Sequence, residues 1–396
     1  MLVISDVRAV TAEGVRPCSI MVEGGRIAGI GPRDIVQGAG ACHIDAAGRL
    51  AVPGFIDLHL HGAMGLDVMA ADLQVLERLS RLLGKWGVTA YCPTTASAPS
   101  PQLVRAVATV AEATRRSTEP GWPGARVLGC NVEGPYLARG RRGAQAEDCL
   151  RLPDLEELER LHAAAGDTLR IFTLAPELPG ALPAIRWLRA RGIIPGIGHT
   201  DADQEEAMAA VAAGATHATH TFNAMRPLHH RDPGVLGAVL DRDEVLAEVI
   251  ADGRHVHPAV VRLLCRAKGI TRVAAVSDLT PLAGCPPGEY DLYGGRAVLT
   301  AEAAVLKHSG SLAGSVVPLS GAFRNLREWG FSPEEAVCLT STNAAGHLGL
   351  GERKGALRPG MDADLGVLDD DGAVFLTLAM GRILHGPGPL AAAPQK

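Results

Sequence analysis

Short apolar runs alternate with amphipathic helical stretches from about residue 50 to about residue 350 of the chain. Leu73, Leu76, Leu79 and Leu83 recur at the spacing that places apolar side chains on one face of a helix. The apolar runs predict eight strands, at 50–61, 88–95, 126–133, 169–175, 193–199, 216–221, 246–251 and 272–278. Eight successive strand–helix units indicate an α/β fold, a parallel (β/α)₈ barrel of the TIM type.

The two ends of the chain follow a different pattern. Residues 19–27 and 363–377 alternate apolar and polar positions, which is typical of strands with one buried face. A Gly-Gly pair at 24–25 and an Asp-Asp-Asp-Gly run at 369–372 interrupt these segments and indicate hairpin turns. Both ends therefore predict antiparallel strands rather than further strand–helix units.

These two patterns predict the domain organisation. A small β-sandwich domain is assembled from residues 1–51 and 352–396, and the parallel barrel occupies residues 52–351. The last residues, 386–396, are rich in Pro, Gly and Ala, which is typical of a loose tail.

Composition narrows the class of protein. Apolar residues make up 47% of the 396 residues and aromatics only 4%, so a large core must be built mainly from aliphatic side chains. The net charge of −5 argues against nucleic-acid binding, which needs a basic face. Neither a signal peptide nor a membrane span is predicted. Eight scattered cysteines without a C-x-x-C pair indicate reduced thiols, so we predict a cytoplasmic protein.

The first predicted barrel strand ends in the motif D-L-H-L-H, which contains His59 and His61. Side chains alternate faces along a strand, so the two imidazoles project the same way and could bind a metal ion together. Taken alone, the pair is more simply explained as two hydrogen-bonded histidines near a strand end, because zinc signatures normally need three or four ligands.

Four other predicted strands also finish in a residue able to bind metal or transfer a proton. These residues are Glu133, His199, His220 and Asp278. Each has an ordinary explanation as a turn or capping residue. Chemistry in such barrels lies at the carboxyl ends of the strands, however, and the joint occurrence predicts one metal site there. His217 faces away from His220 in a regular strand, and we predict a structural role for it.

Several motifs carry a family resemblance across nearly the whole chain. They are P-G-F-I-D-L-H-L-H-G (53–62), N-V-E-G-P-Y (131–136), H-T-F-N-A-M-R-P-L-H-H-R-D-P-G (220–234), I-A-D-G-R-H-V-H (250–257) and G-A-L-R-P-G-M-D-A-D-L (355–365). With them the chain resembles the amidohydrolase superfamily and, within it, the N-acetylglucosamine-6-phosphate deacetylase family.

The resemblance implies a divalent metal cofactor. Glu133, His199 and His220 match the ligands of the principal ion, and His59 with His61 matches members that hold a second. One or two ions per subunit are therefore expected. Zinc is the first expectation, and iron, manganese and cobalt also suit imidazole and carboxylate ligands.

The resemblance also implies a phosphorylated amino sugar as substrate. Asn223, Ala224 and His255 match substrate-binding positions, and Arg231 matches an arginine that reaches the phosphate in the neighbouring subunit of a homodimer. Gln145 stands where the family usually has a substrate-binding histidine, and glutamine can donate a hydrogen bond but carries no charge.

The implied activity is removal of the acetyl group from N-acetyl-D-glucosamine 6-phosphate, with Asp278 as the catalytic acid and base. Gln145 and the segment 279–282 depart from the family pattern. N-acetylgalactosamine-6-phosphate deacetylation, or hydrolysis of a different amide, is therefore an alternative. A non-catalytic sugar-phosphate sensor is disfavoured, because every candidate metal ligand and the candidate acid are present.

Overall fold

The computed structural model of the chain describes residues 1–32, 41–388 and 390–391. Its N-terminal segment forms five strands, which are β1 (Leu2–Thr11), β2 (Gly14–Glu23), β3 (Arg26–Gly31), β4 (Cys42–Asp45) and β5 (Leu50–Pro53). Strands β1, β2 and β3 form an antiparallel meander, and the predicted Gly-Gly turn lies between β2 and β3. The alternating pattern at this end of the chain thus predicted its strands correctly.

Strand β1 has different neighbours along its two halves. Its first half pairs in parallel with β4, and Arg8 and Ala9 in its second half pair in parallel with β5. Between the halves, Asp6 adopts a left-handed φ of 52° and the register with β2 is irregular. The domain therefore contains parallel as well as antiparallel pairs, whereas the sequence pattern predicted antiparallel strands alone.

The central part of the chain forms the predicted parallel barrel. Its strands are β6 (Phe55–Leu60), β7 (Gly62–Ala63), β8 (Leu66–Asp67), β9 (Val88–Thr95), β10 (Arg126–Val127), β11 (Cys130–Glu133), β12 (Leu169–Leu174), β13 (Ile194–Ile197), β14 (His217–Ala218), β15 (Leu246–Ile250) and β16 (Val273–Val276). Strands β7 and β8 form a short hairpin, and β10 pairs with β9. The other eight follow one another around the barrel in chain order, which confirms the predicted fold class.

Helices surround these strands. They are α1 (Leu73–Lys85), α2 (Ser100–Arg116), α3 (Leu155–Ala165), α4 (Ala181–Ala190), α5 (Gln204–Ala213), α6 (Gly234–Asp241), α7 (Pro258–Lys268), α8 (Leu319–Glu328), α9 (Pro333–Val337) and α10 (Asn343–His347), with a π-helical segment between the last two. The predicted apolar face of α1 buries Leu76, Leu79 and Leu83. Within the described ranges, no helix combines the length and apolarity needed to span a membrane.

Hydrogen bonds between β6 and the segment after β16 close the barrel. The Asp57 carboxylate accepts from the Ser277 amide at 3.1 Å and from the Ser277 hydroxyl at 2.5 Å. The Asp278 amide donates to the His59 carbonyl at 2.8 Å. This closure places the end of the last strand beside the end of the first, and it brings Asp278 next to the two histidines of the D-L-H-L-H motif.

A three-stranded antiparallel sheet lies between Asp278 and α8. Its strands are β17 (Gly288–Leu292), β18 (Gly295–Leu299) and β19 (Ala304–Leu306). The strands share a small apolar core that includes Leu292, Leu299 and Leu306. This insertion was absent from the predicted elements, because its short strands carry only a weak alternating pattern.

The C-terminal segment returns to the sandwich domain. It contributes β20 (Leu365–Leu368), β21 (Val374–Ala379), β22 (Arg382–His385) and β23 (Leu390–Ala391). Strand β20 pairs antiparallel with β5, so one sheet has the order β22-β21-β20-β5-β1-β2-β3. Both ends of the chain therefore build one domain, as predicted.

The C-terminal tail differs from its prediction, and the predicted domain boundaries are not tested. Strand β23 pairs with β4, so the prediction of a loose tail is wrong for Leu390–Ala391, whose backbone joins the sheet. Residues 389 and 392–396 lie outside the described residues. The chain crosses from sandwich to barrel between β5, which ends at Pro53, and β6, which begins at Phe55. The predicted boundaries at 51/52 and 351/352 stay a prediction.

Candidate metal centre and substrate cavity

The residues predicted from the strand ends converge at the carboxyl end of the barrel. They are His59 in β6, His61 directly after it, Glu133 at the end of β11, and His199, His220 and Asp278 just beyond β13, β14 and β16. The last three adopt left-handed φ angles of 49°, 31° and 47°. Such angles are unfavourable for residues with a Cβ and cluster at functional sites, which supports a chemical role for these positions.

The Glu133 carboxylate is the centre of this cluster. Its Oε1 atom lies 2.9 Å from His220 Nε2, 3.1 Å from His199 Nε2 and 3.5 Å from His59 Nε2. Its Oε2 atom lies 3.3 Å from His61 Nε2. Two donor groups result, one of Glu133 with His199 and His220 and one of Glu133 with His59 and His61, each with ligand atoms within 4.8 Å of one another.

The surroundings of two histidines fix which nitrogen is free to bind a metal. His199 Nδ1 lies 2.8 Å from the carbonyl oxygen of Arg141, which can only accept, so Nδ1 carries the proton. His59 Nδ1 lies 3.1 Å from Glu248 Oε2 and is likewise a donor. Both Nε2 atoms therefore keep their lone pairs for a metal, and the residues present fit one or two divalent ions.

The electrostatics of the cluster also favour a cation. Burial opposes the charged form of a histidine, yet Glu133 and Glu248 raise the pKa of His59 to about 10. Burial has the same effect on His61, and Asp278 and Glu133 raise its pKa to about 9. The carboxylates thus create a strongly negative local field, which would stabilise a metal ion in place of these protons.

Asp278 faces both donor groups. Its Oδ1 atom lies 3.5 Å from His59 Nε2 and 3.5 Å from His61 Nε2. Burial would raise the pKa of Asp278, but the hydrogen bond with His61 and the nearby histidine charges hold it below its ordinary value. The carboxyl group is therefore ionised at neutral pH and able to accept a proton.

Glu248, a site residue that the sequence reasoning missed, lies fully buried in β15. Its Oε2 atom accepts from His59 Nδ1 at 3.1 Å and from the His220 amide at 3.0 Å, and its Oε1 atom lies 3.1 Å from His217 Nε2. Burial would raise the pKa of Glu248, but His217 and His59 hold it far below its ordinary value. A signal was available, because Glu248 is the one charged residue in a strand that is otherwise apolar.

His217 belongs to neither donor group. Its Nδ1 atom lies 3.1 Å from His347 Nε2, and the two rings stack with centroids 5.1 Å apart. Burial and the neighbouring His217 lower the pKa of His347 to about 3, so His347 is neutral. These contacts agree with the structural role predicted for His217.

A cavity of about 350 Å³ opens above the donor groups, and most of the predicted substrate-binding residues line it. They are Gln145, Asn223, Ala224 and His255. Arg231 is exposed, lies in the loop at 226–233 and is absent from the cavity wall of its own chain. The predicted roles of these residues stay predictions, and the geometry separates Arg231 from the other four.

The Gln145 side chain is held at both ends. Its Nε2 atom donates to Glu133 Oε2 at 2.5 Å, and its Oε1 atom accepts from the Ser97 amide at 2.6 Å. Gln145 is also buried. The amide therefore orients the carboxylate that the two donor groups share, a contact that the sequence alone did not predict.

His255 is held by a carboxylate of the same turn. Its Nδ1 atom lies 2.7 Å from Asp252 Oδ2, and its backbone amide donates to Asp252 Oδ1 at 2.9 Å. Burial would lower the pKa of His255, but Asp252 raises it above its ordinary value. Asp252 thus favours the protonated, cationic form of His255 in the cavity wall.

Tyr293 is a second site residue absent from the sequence-based predictions. It lies at the turn between β17 and β18, has a left-handed φ of 49°, and lines the cavity. Its ring meets the His61 ring edge-on, with centroids 5.8 Å apart. Burial, with the charges of Asp67 and Asp278, raises the pKa of Tyr293 well above its ordinary value. The glycines after it signal a hairpin, but no sequence feature shows that the hairpin reaches the candidate metal ligands.

Known proteins are similar to this chain in sequence and in fold. Residues 50–384 match the profile of the Amidohydrolase family. The chain is 36% identical to an N-acetylglucosamine-6-phosphate deacetylase of Lysinibacillus sphaericus, over 96% of this chain and 97% of the relative. It is 38% identical to an N-acetylgalactosamine-6-phosphate deacetylase of Escherichia coli O157:H7, over 81% of this chain and 84% of the relative.

The fold of this chain is also similar to that of a solved structure. An N-acetyl-D-glucosamine-6-phosphate deacetylase variant from Mycobacterium smegmatis, in complex with N-acetyl-D-glucosamine-6-phosphate, superimposes with a TM-score of 0.89 and 31% identity. The match covers 97% of this chain and 99% of that one. The similarity therefore includes both the barrel and the sandwich domain.

Proposed function

Because this chain belongs to the amidohydrolase family, we propose that it hydrolyses N-acetyl-D-glucosamine 6-phosphate to glucosamine 6-phosphate and acetate. One observation carries the proposal: an ionised Asp278 faces two buried metal-donor groups that share Glu133, at the base of one cavity. The cavity, of about 350 Å³, falls within the range of small-molecule sites, roughly 300–1,000 Å³. This arrangement of metal donors and an ionised carboxylate suits hydrolysis of an amide whose carbonyl carbon lies beside the metal.

The proton transfers in the reaction are assigned to Asp278. A divalent metal held by Glu133, His199 and His220 would, when bound, acidify water and polarise the acetyl carbonyl group. Asp278 accepts the proton of the attacking water as the new carbon–oxygen bond forms. The same carboxyl group then donates that proton to the sugar nitrogen as the carbon–nitrogen bond breaks, because an amine leaves poorly unless it is protonated. The products are acetic acid, which ionises, and the free amine.

We propose zinc as the resident metal, with iron, manganese and cobalt as alternatives of similar ligand preference. The group formed by Glu133, His199 and His220 would hold the principal ion. His59 and His61, with Glu133 as a shared ligand, would hold a second. Elemental analysis of the purified protein identifies the metal and counts the ions per chain.

We also propose a homodimer in which Arg231 binds the phosphate in the partner's active site. Arg231 lies outside the cavity of its own chain, and the neighbouring Leu228 is 51% exposed, unusual for a leucine. A guanidinium group suits the task because it can donate hydrogen bonds to two phosphate oxygens at once.

We propose that the protein is located in the cytoplasm. All eight cysteines are free thiols, which is typical of proteins in a reducing compartment.

Acetate release from three compounds tests the proposed activity. They are N-acetyl-D-glucosamine 6-phosphate, its galactosamine epimer, and N-acetyl-D-glucosamine without phosphate. We expect the highest kcat/KM with the first and the lowest with the third. A preference for the galactosamine compound would favour the second candidate, an activity that one relative at 38% identity bears by name. Absence of acetate release from all three would overturn the proposal.

A further inference from the structure

Tyr293 is presented to the reaction centre by the insertion rather than by the barrel. It occupies the turn that joins β17 to β18, directly after Leu292 and two residues before the paired Gly295. Its left-handed φ of 49° is unusual for an aromatic residue. Residues held in this conformation need a surrounding structure that enforces it, and they concentrate at functional sites. The strained turn and the position in the cavity wall point to a role in the reaction.

The hydroxyl group of Tyr293 has no hydrogen-bond partner among the residues that the structure describes, although it is buried. Buried hydroxyl groups are nearly always paired, so an unpaired one calls for an explanation. The ring meets His61 edge-on, and the cavity that it lines is the one that contains Asp278 and Glu133. A substrate in this cavity would supply the missing partner.

The chemistry of amide hydrolysis shows which substrate atom needs a hydrogen-bond donor. Attack on an amide carbon places negative charge on the acetyl oxygen, and the nearby Glu133 and Asp278 carboxylates repel that charge. Gln145, an uncharged hydrogen-bonding side chain in the cavity wall, already uses its amide on Glu133 and Ser97. A phenol is protonated at neutral pH and donates without adding charge.

We propose that Tyr293 is a catalytic residue whose hydroxyl group donates a hydrogen bond to the acetyl oxygen of the substrate and stabilises the negative charge that develops there. The inference rests on the proposed function, because it assumes an acetamide substrate. Removing one such donor typically lowers kcat by about 10²- to 10³-fold. The hydrogen bond strengthens in the transition state, so KM should change far less than kcat.

The Tyr293→Phe variant tests this role, since it deletes the hydroxyl group and keeps the ring that contacts His61. We expect kcat for the preferred substrate to fall by about 10²- to 10³-fold, KM to stay within about threefold, and metal content to stay unchanged. The matched control is Tyr290→Phe in the same insertion. The Tyr290 hydroxyl group donates to the Pro286 carbonyl at 2.7 Å and is exposed, so kcat should be unaffected.

A binding measurement separates catalysis from packing. A phosphonamidate analogue with tetrahedral phosphorus in place of the acetyl carbon should bind Tyr293→Phe more weakly by the same factor as the loss of kcat/KM. Glucosamine 6-phosphate, which lacks the acetyl oxygen, should bind both proteins equally. Unchanged kcat and unchanged analogue affinity in an active enzyme would overturn the role of Tyr293 alone. A wild-type protein that releases no acetate would overturn the proposed function and this role with it.

Discussion

The base of the cavity and its rim are built from different parts of the fold. The base consists of strand ends: Glu133, His199 and His220 are all at most 5% exposed and are held by neighbouring strands. The rim consists of connections, which include the segment from Gly140 to Gln145 and the insertion of β17 to β19. The insertion contacts the base through Tyr293, and the exposed Arg231 in the loop at 226–233 would join the rim of the partner's cavity in the proposed dimer.

Because the base and the rim are built differently, we expect the base to determine the reaction and the rim to determine which substrate is preferred. Strand ends in a closed barrel are positioned by backbone hydrogen bonds to both neighbours, so their side chains have little freedom to change their geometry. Loops change length and sequence at little cost to the scaffold. The base should therefore decide that an amide is hydrolysed, and the rim which amide. Changes at the base should affect all substrates equally, whereas changes at the rim should alter their relative rates.

The strongest test of the base is Glu133→Gln, because Glu133 belongs to both donor groups. We expect the bound metal to be lost and kcat/KM to fall by about 10⁵-fold or more for every substrate. Elemental analysis and acetate release measure both effects. Glu112→Gln is the control, since Glu112 is a surface residue of α2 paired with Arg115. Full metal content in Glu133→Gln would contradict the assignment of the shared ligand.

The Asp278→Asn variant should separate proton transfer from metal binding. The amide cannot accept the water proton, so we expect kcat to fall by about 10³- to 10⁴-fold, equally for phosphorylated and unphosphorylated substrates. Metal content should be retained, because neither donor group contains Asp278. If most of the activity survived in a metal-loaded variant, another residue would have to act as the acid and base.

The rim is tested by Arg231→Ala. Loss of a charged hydrogen bond to phosphate should lower kcat/KM for the phosphorylated sugar by about 10- to 100-fold and leave the unphosphorylated sugar unaffected. Mixing this variant with an inactive Asp278→Asn protein should restore activity if Arg231 acts across a dimer. Arg115→Ala, at an exposed position of α2, is the control. An equal loss for both sugars would place Arg231 in the shared chemistry instead.

The smallest effect is expected from Asp252→Asn, which removes the carboxylate that contacts His255 of the cavity wall. The folded-state pKa of His255 is raised by Asp252, so the stabilisation from this pair is complete below the unfolded pKa of about 6.5. It is lost as the pH rises through the higher folded pKa. The variant should lower the His255 pKa, measured by NMR titration, and raise KM only about two- to threefold near pH 7.5. An unchanged His255 pKa would show that Asp252 does not control its charge.

The sequence predicted the base of the cavity far better than its rim. His59 and His61 could be paired from strand alternation alone, and chain order placed Glu133, His199 and Asp278 at one end of the barrel. The barrel and the sandwich followed from hydrophobic periodicity, and the structure confirms both. The insertion of β17 to β19 was missed, since three short strands leave little periodicity to detect.

The amino-acid sequence by itself determined the fold class and the candidate metal ligands, because local periodicity sets each strand and, in barrels of this type, chemistry lies at the carboxyl ends of the strands. Only the tertiary structure decided that Glu248 holds His59, that Gln145 holds Glu133, and that Tyr293 meets His61. The His59–Glu248 and His61–Tyr293 contacts join residues about 190 and 230 positions apart. Such pairings arise when a closed barrel buries polar groups that must then find partners across it, and no local pattern encodes them.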